Sequence, residues 1–330
     1  MKRFALKVLQ RSGLFALARN TSARMARILM YHNFSQAGDA YGAVSVEAAR
    51  QQLGYLRQHF QFVSLTQLVE QLKSGRPLDT HSIALTVDDG RRNFHDLLFP
   101  LLLEFQVPAT FFVVSSFIRR EDWLWTDKVL WLAEQPLPTE DLLPDKIEQF
   151  FQRMNRLRPE TRNAHIASLA TRMRVAIPQE PPSKYAPCSW LELRRMVDSG
   201  LVEIGSHSVT HPIFSSLRDE ECWWELTASR TQIESDLGRK VESFCFPNGK
   251  PTDYCPRHLL QVKSAGYSSA VLTHFGMPCR GSDPFSLPRI GVSGRTDFLP
   301  FKKCVDGVEY YQEKLRAAFR LSSFVGDDLT

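Results

Sequence analysis

The chain has 330 residues, 43% hydrophobic and 23% charged, with 41 Lys and Arg against 36 Asp and Glu for a formal net charge of +5. That is ordinary globular composition, long enough for one large α/β domain or two smaller ones. The basic excess is mild and forms no dense run interleaved with aromatics, which excludes nucleic acid as the expected partner, and no segment approaches the length needed to span a bilayer.

Residues 1–27 carry seven Lys or Arg and no acid. Ala16-Leu17-Ala18 resembles a small-residue cleavage site. Yet Lys7, Gln10 and Arg11 break the apolar stretch below the usual length of an export signal. Phe4, Leu6, Val8, Leu9, Leu14, Phe15 and Leu17 fit an amphipathic basic helix better. Such a helix can lie on an anionic membrane as a peripheral contact, or it can be a surface helix of the domain. "RILMYHNFS" from Arg27 then reads as a buried strand. "SVEAARQQLGYLRQHF" has helical spacing with Ser45 as N-cap. "FVSLTQLVEQLKSG" reads as a short strand, a Thr-capped helix and a Gly stop. Ile83 to Val87 is a second firm strand. "FHDLLFPLLLEFQV" is a helix kinked or started at Pro100, and "PATFFVVSSFI" is a continuous apolar strand of the kind buried on both faces.

From Arg119 to Pro187 the pattern changes. Trp123, Trp125 and Trp131 precede a Pro-rich break and a charged helical run, which together predict a helical insertion over 119–187. Its tryptophans fit packing of the insertion better than stacking on a ligand. Alternation then resumes. Ser189 with Glu192 forms a capping box, "LVEIGSHS" is a strand, and "DEECWWELTASRTQIESDLG" is a helix with Trp223 and Trp224 expected in its core. "SFCFPNG", "PRHLLQVKSAG" and "YSSAVLT" read as strand, helix and strand. His59, His81, His95, His165 and His258 are expected at the surface. Strand starts at Ile28, Phe62, Ile83, Ala109, Val202, Ser243 and Ser268 number about seven and imply a parallel sheet. A closed or nearly closed β/α barrel suits that count, with an open doubly wound sheet as competitor. The barrel would span 28–118 and 188–300, and residues 301–330 would form a C-terminal helix and tail.

Parallel α/β folds place sites at the carboxyl ends of their strands. Asp88 and Asp89 end one strand, "GSHSVTH" with His207 and His211 ends another, "FPNG" (Phe246, Pro247, Asn248, Gly249) a third, and Tyr31 with His32 the first. Two adjacent carboxylates repel each other and resist burial unless something positive sits beside them. Two histidines and an aspartate suit Zn²⁺ or a similar divalent ion such as Co²⁺, Ni²⁺ or Mn²⁺. One carboxylate of the pair would bind the ion and the other would accept a proton from water.

"LTVDDG" and "HSVTHP" resemble the first two motifs, T-F-D-D-G and H-[ST]-x-x-H-P, of the NodB-homology polysaccharide deacetylases, carbohydrate esterase family 4. Val87 stands in place of the usual Phe. The resemblance covers roughly 28–292 apart from the insertion. It implies a distorted (β/α)7-type barrel and metal-dependent removal of N-acetyl groups from an N-acetylhexosamine glycan. On that pattern Asp88 is the general base, and Asp89, His207 and His211 hold the metal. The usual third motif, R-x-P-Y, is absent. "SFCFPNG" instead is similar to the F-x-[YF]-P-x-G form of exopolysaccharide-associated branches, with Tyr31 and the FPNG residues as substrate contacts. Arg289 in "SLPRIG" is the candidate for the missing guanidinium. The catalytic acid is His32, as in branches resembling the poly-N-acetylglucosamine deacetylases, with His274 of "LTH" as alternative. The rival readings are a barrel that binds glycan without turnover, for which the missing Arg is the best support, and a hydrolase of another amide or an O-acetyl ester. Six widely spaced cysteines without a C-x-x-C pair point to a reducing, cytoplasmic setting, inner-membrane contact included and export left open. Glycan, chain length and oligomeric state are not fixed.

Overall fold

The continuous apolar runs become strands: β1 (Arg27–Tyr31), β2 (Phe34–Ser35), β3 (Val44–Ser45), β4 (Gln61–Phe62), β5 (Ser82–Val87), β6 (Ala109–Val113), β7 (Val202–Ser206), β8 (Ser243–Cys245), β9 (Ser269–Val271) and β10 (Ile290–Gly291). The computed structural model describes residues 10–38, 40–136, 139–294 and 297–325, with side chains to residue 317. The main sheet runs β10-β1-β5-β6-β7-β8-β9, and each of these pairings is parallel. β4 pairs only with the first two residues of β5, below the point where β6 begins. Beyond β9, Leu287 accepts from Leu272 N–H at 2.9 Å and donates to Ala270 C=O at 3.0 Å, three residues before β10 starts. The ladder thus returns to β10 and β1. The sheet curls into a distorted barrel, of the (β/α)7 type, whose seventh staff is the short β10 rather than β4.

Strand alternation sorts the side chains into two layers. Leu29, Tyr31, Leu85, Val87, Phe111 and Ile204 face outward and pack on the surrounding helices, including Leu53 and Leu56 of helix Val46–His59 and Leu226 and Ile233 of helix Asp219–Leu237. Ile28, Ala84, Phe112, Cys245, Val271 and Leu287 face inward. They share a cluster with Leu65, Leu68 and Leu72 of helix Leu65–Lys73, which plugs the base of the barrel. That helix is capped by Ser64, which accepts from Gln67 N–H at 3.2 Å in a capping box, rather than by Thr66. Gly205 marks the tightest inner approach, where a Cβ would stand 2.4 Å from the Phe112 ring. Upstream of Pro100 the chain makes a π-helical turn, Phe94–Leu98, before helix Phe99–Phe105.

Helices Trp125–Ala133, Ile147–Met154 and Pro159–Arg172 have a core of their own, built on Trp125, Val129, Leu132, Ile147, Phe150, Ile166 and Leu169. Trp123 and Trp125 are buried. Trp223 and Trp224 are not core residues: they are 43% and 50% exposed. The apolar stripe of their helix runs through Cys222, Leu226, Ser229 and Ile233, so positions 223 and 224 fall off it. His258 is fully buried, its Nδ1 accepting from Cys255 N–H at 3.2 Å and its ring 5.9 Å from that of Phe214. Residues 1–9 of the basic N-terminal segment lie outside the described residues. Helix Leu14–Thr21 packs Phe15 and Ala18 on Val308, and Arg19 pairs with Asp306 at 2.9 Å. That apolar face is therefore spent on the protein's own C-terminal helices, Phe298–Val305 and Val308–Val325. No described helix is long and apolar enough to cross a membrane.

Candidate active site

Ala84, Thr86 and Asp88 alternate inward, and Asp88 N–H continues the ladder to Tyr31 C=O at 2.9 Å. The Asp88 carboxylate therefore points up the barrel axis. The next residue breaks the pattern: Asp89 has φ 85° and Gly90 φ 96°. At Gly90 any Cβ would also meet Ile118 Cδ1 at 2.9 Å, so the turn requires glycine. This turn swings Asp89 sideways towards the loop after β7. That loop is folded around a buried carboxylate, Glu225, which accepts from Val209 N–H at 2.6 Å and Thr210 N–H at 3.0 Å. His211 N–H donates to Ser208 Oγ at 3.0 Å, and His211 adopts φ 56°. The result brings His207 Nε2 and His211 Nε2 each to 3.6 Å from Asp89 Oδ1.

The two like charges are separated by giving each its own arginine. Arg289 is fully buried and grips Asp88 with both ends of its fork, Nη1 to Oδ1 at 2.8 Å and Nη2 to Oδ2 at 2.7 Å. Its remaining donors go to Leu272 C=O at 2.9 Å, Thr86 Oγ1 at 3.0 Å and Cys245 Sγ at 3.2 Å. Arg91 donates to Asp89 Oδ2 and is itself braced by Asp127 at 2.7 and 3.1 Å. Burial pushes both aspartates up, but Arg289 at Asp88 and Arg91 at Asp89 override it and hold both carboxyls below their ordinary values. Burial pushes His207 down, and His211 to about 3, so both rings are neutral.

Do these residues fit a metal ion? One ligand atom from each of Asp89, His207 and His211 lies within 4.8 Å of the others. Ligands about 2.1 Å from a tetrahedral ion stand roughly 3.4 Å apart, close to the two 3.6 Å separations here. His207 Nδ1 donates to Cys245 C=O at 2.7 Å, which leaves the Nε2 lone pair facing Asp89. The residues fit a divalent ion, and the third ligand oxygen is free because Arg91 occupies the other one.

These groups open into a cleft of about 370 Å³. His32 enters it from the end of β1, with Nε2 3.7 Å from Asp88 Oδ2 and its side chain 42% exposed. Asn248 and Lys250 line it as well. The insertion contributes Trp125 and Phe151 to the rim, and Tyr41 O–H reaches over to Glu148 Oε2 at 2.7 Å. His274 lends only its backbone carbonyl, to Arg289 N–H at 3.0 Å, and its side chain does not line the cleft.

Four of the five expected substrate contacts do not line the cleft. Tyr31 continues the outward alternation of Leu29, so its ring lies under helix Val46–His59 with O–H bonded to Gln52 at 2.9 Å. Phe246 packs against Phe214, Phe244 and Tyr254. Of the FPNG residues, Asn248 reaches the cleft at φ 59°, while Pro247 and Gly249 are buried and build its turn. Arg91, Asp127 and Glu225 were not singled out from sequence. An Arg two residues after Asp89 was a readable cue, whereas Asp127 and Glu225 lie on distant helices with no local signal.

With this geometry in view, the sequence profile of polysaccharide deacetylases matches residues 75–270. The chain belongs to the polysaccharide deacetylase family. The match contains Asp88, Asp89, His207 and His211 and omits His32 and Arg289, which the fold brings beside Asp88. A 93-residue segment is 34% identical to the poly-beta-1,6-N-acetyl-D-glucosamine N-deacetylase of Escherichia coli, over 27% of this chain and 14% of that protein. The matched part is thus a small share of that relative's length. The structure is similar to that of IcaB from Ammonifex degensii, with TM-score 0.61 and 19% identity over 86% of this chain and 97% of that one. It is also similar to the deacetylase PplD of Streptococcus pyogenes in complex with acetate, with TM-score 0.59 and 16% identity over 85% and 98% of the two chains. At such identities the likeness speaks for the fold.

Proposed function

We propose that this family member is a metal-dependent N-deacetylase of an N-acetylhexosamine polysaccharide of the poly-N-acetylglucosamine type. The observation that carries the reading is Asp89, His207 and His211 converging beside an Asp88 clamped by Arg289. Asp89 Oδ1 and the two Nε2 atoms would hold a divalent cation, with Zn²⁺ favoured by two neutral imidazoles and one carboxylate. Such an ion, when bound, supplies Lewis-acid polarisation and lowers the pKa of water. The chain's own residues do the rest. Asp88, kept ionised by Arg289, retains free lone pairs to take a proton from the attacking water. His32, with Nε2 3.7 Å from Asp88 Oδ2, would, when protonated, deliver a proton to the departing amine, which leaves poorly without one. Asn248 and the insertion rim would hold the sugar.

The guanidinium missing from the usual third motif returns from Arg289, which weakens the case for a barrel without turnover. All six cysteines are free thiols, which supports a reducing compartment as part of the proposal. The test is acetate release from β-1,6-linked N-acetylglucosamine oligomers, with chelator and with added Zn²⁺, run beside Asp88→Asn. Metal-dependent release lost in the variant, with metal content kept, is expected. Turnover by Asp88→Asn, or release indifferent to chelation, would overturn the reading.

A further inference from the structure

A second cavity of about 610 Å³ adjoins the cleft. Trp125 is a wall of both, and Thr210 of the second precedes His211 of the first. Arg162 lines it from the insertion and is 2% exposed. Its guanidinium lies 4.6 Å from the Trp125 ring centroid, and neither Nε nor Nη1 finds an acceptor among the described residues. Cation–π contact offsets part of the burial, but donors left without acceptors are costly. A ligand oxygen entering this cavity would offer the guanidinium the acceptor it lacks. Trp224, half exposed, lines the cavity and presents an apolar indole platform. Of the carboxylates that line the cavity, Glu121, Asp122, Glu160 and Glu221 are paired with Arg119, Lys128, Arg158 and Arg218, and Glu225 is bonded to Val209 and Thr210, so the exposed Glu220 is the one with neither an ion pair nor such a bond among the described residues.

An indole face suits the C–H face of a pyranose, buried planar donors suit its substituent oxygens, and the Glu220 carboxylate suits an ammonium group. We propose that this cavity binds a glucosamine unit with a free amine, on the same glycan chain whose N-acetylated unit occupies the cleft. The inference rests on the deacetylase reading for the identity of the glycan. Its consequence is that the protein retains a chain it has begun to deacetylate.

Calorimetric titration of the full-length protein with a β-1,6-linked glucosamine pentasaccharide and its fully N-acetylated counterpart tests this. The amine form is expected to bind more tightly, and more weakly as salt rises. Trp224→Ala and Glu220→Gln, both at exposed positions, are each expected to weaken the amine form about tenfold. Hydrolysis of a small acetyl ester with added Zn²⁺ should be unchanged in both. Equal affinity for the two pentasaccharides, or variants that bind the amine form as wild type does, would overturn the site. Selective amine binding lost in the variants, in a protein that releases no acetate, would support the cavity and sink the deacetylase reading instead.

Discussion

Replacing Arg289 by Met removes the guanidinium that is paired with Asp88. Met approximates the length of the side chain and leaves the barrel interior filled, so the loss is mainly electrostatic. Two charge-assisted bonds to Asp88 at 2.7 and 2.8 Å disappear, together with those to Leu272 C=O and Thr86. Asp88, 1% exposed, is left as a buried charge without its partner. Breaking a buried pair from one side costs about 3–5 kcal/mol, against a total stability of roughly 5–15 kcal/mol for a domain. Urea unfolding followed by tryptophan fluorescence at neutral pH, without added metal, would read this as a lowered midpoint. The pH dependence should also reverse. In wild type, Arg289 holds the Asp88 carboxyl below its ordinary value, so its contribution is present above the ordinary carboxylate pKa and lost as pH falls through the folded value. In Arg289→Met the guanidinium that overrides burial is gone, burial raises that carboxyl, and this group's contribution improves as pH falls through the raised value. Asp88→Ala combined with Arg289→Met should be no less stable than Arg289→Met alone, because the unpaired charge is gone. A variant within about 0.5 kcal/mol of wild type, or single costs that simply add, would refute the pairing as the source of stability.

Asp127→Asn should weaken Zn²⁺ affinity about 10–100-fold by loosening Arg91 behind Asp89, read by competition with a chromogenic chelator. His211→Ala should lower the metal content of purified protein to background by elemental analysis while the circular dichroism of the barrel is kept. Gly205→Ala should cost about 1–3 kcal/mol, seen as a fall in Tm, since its new methyl would sit 2.4 Å from the Phe112 ring. His32→Ala should reduce kcat on the glycan far more than on an activated ester whose leaving group needs no proton, measured side by side.

The sequence by itself determined the strands, because long apolar runs such as Ile83–Val87 and Ala109–Val113 can be satisfied only by burial on both faces, and it determined the residues with intrinsic chemistry. Asp88, Asp89, His207, His211 and His32 could be named in advance, since carboxylates and imidazoles at the ends of parallel strands have few other reasons to gather there, whereas Arg289 was a candidate only through the family resemblance. Facing was a different matter. Tyr31 and Phe246 read like cleft residues from their neighbours, yet strand parity sent Tyr31 outward and an aromatic cluster claimed Phe246. Trp223 and Trp224 fell one step off the stripe that their helix buries. β10, two residues long, carries too little pattern to be seen locally and exists because the barrel must close. Pairing was decided only in three dimensions as well. Which arginine neutralises which aspartate, and that Asp127 and Glu225 hold the site from behind, depends on contacts between residues up to 201 positions apart. Local spacing encodes what a side chain can do, whereas closure of the sheet fixes what it touches.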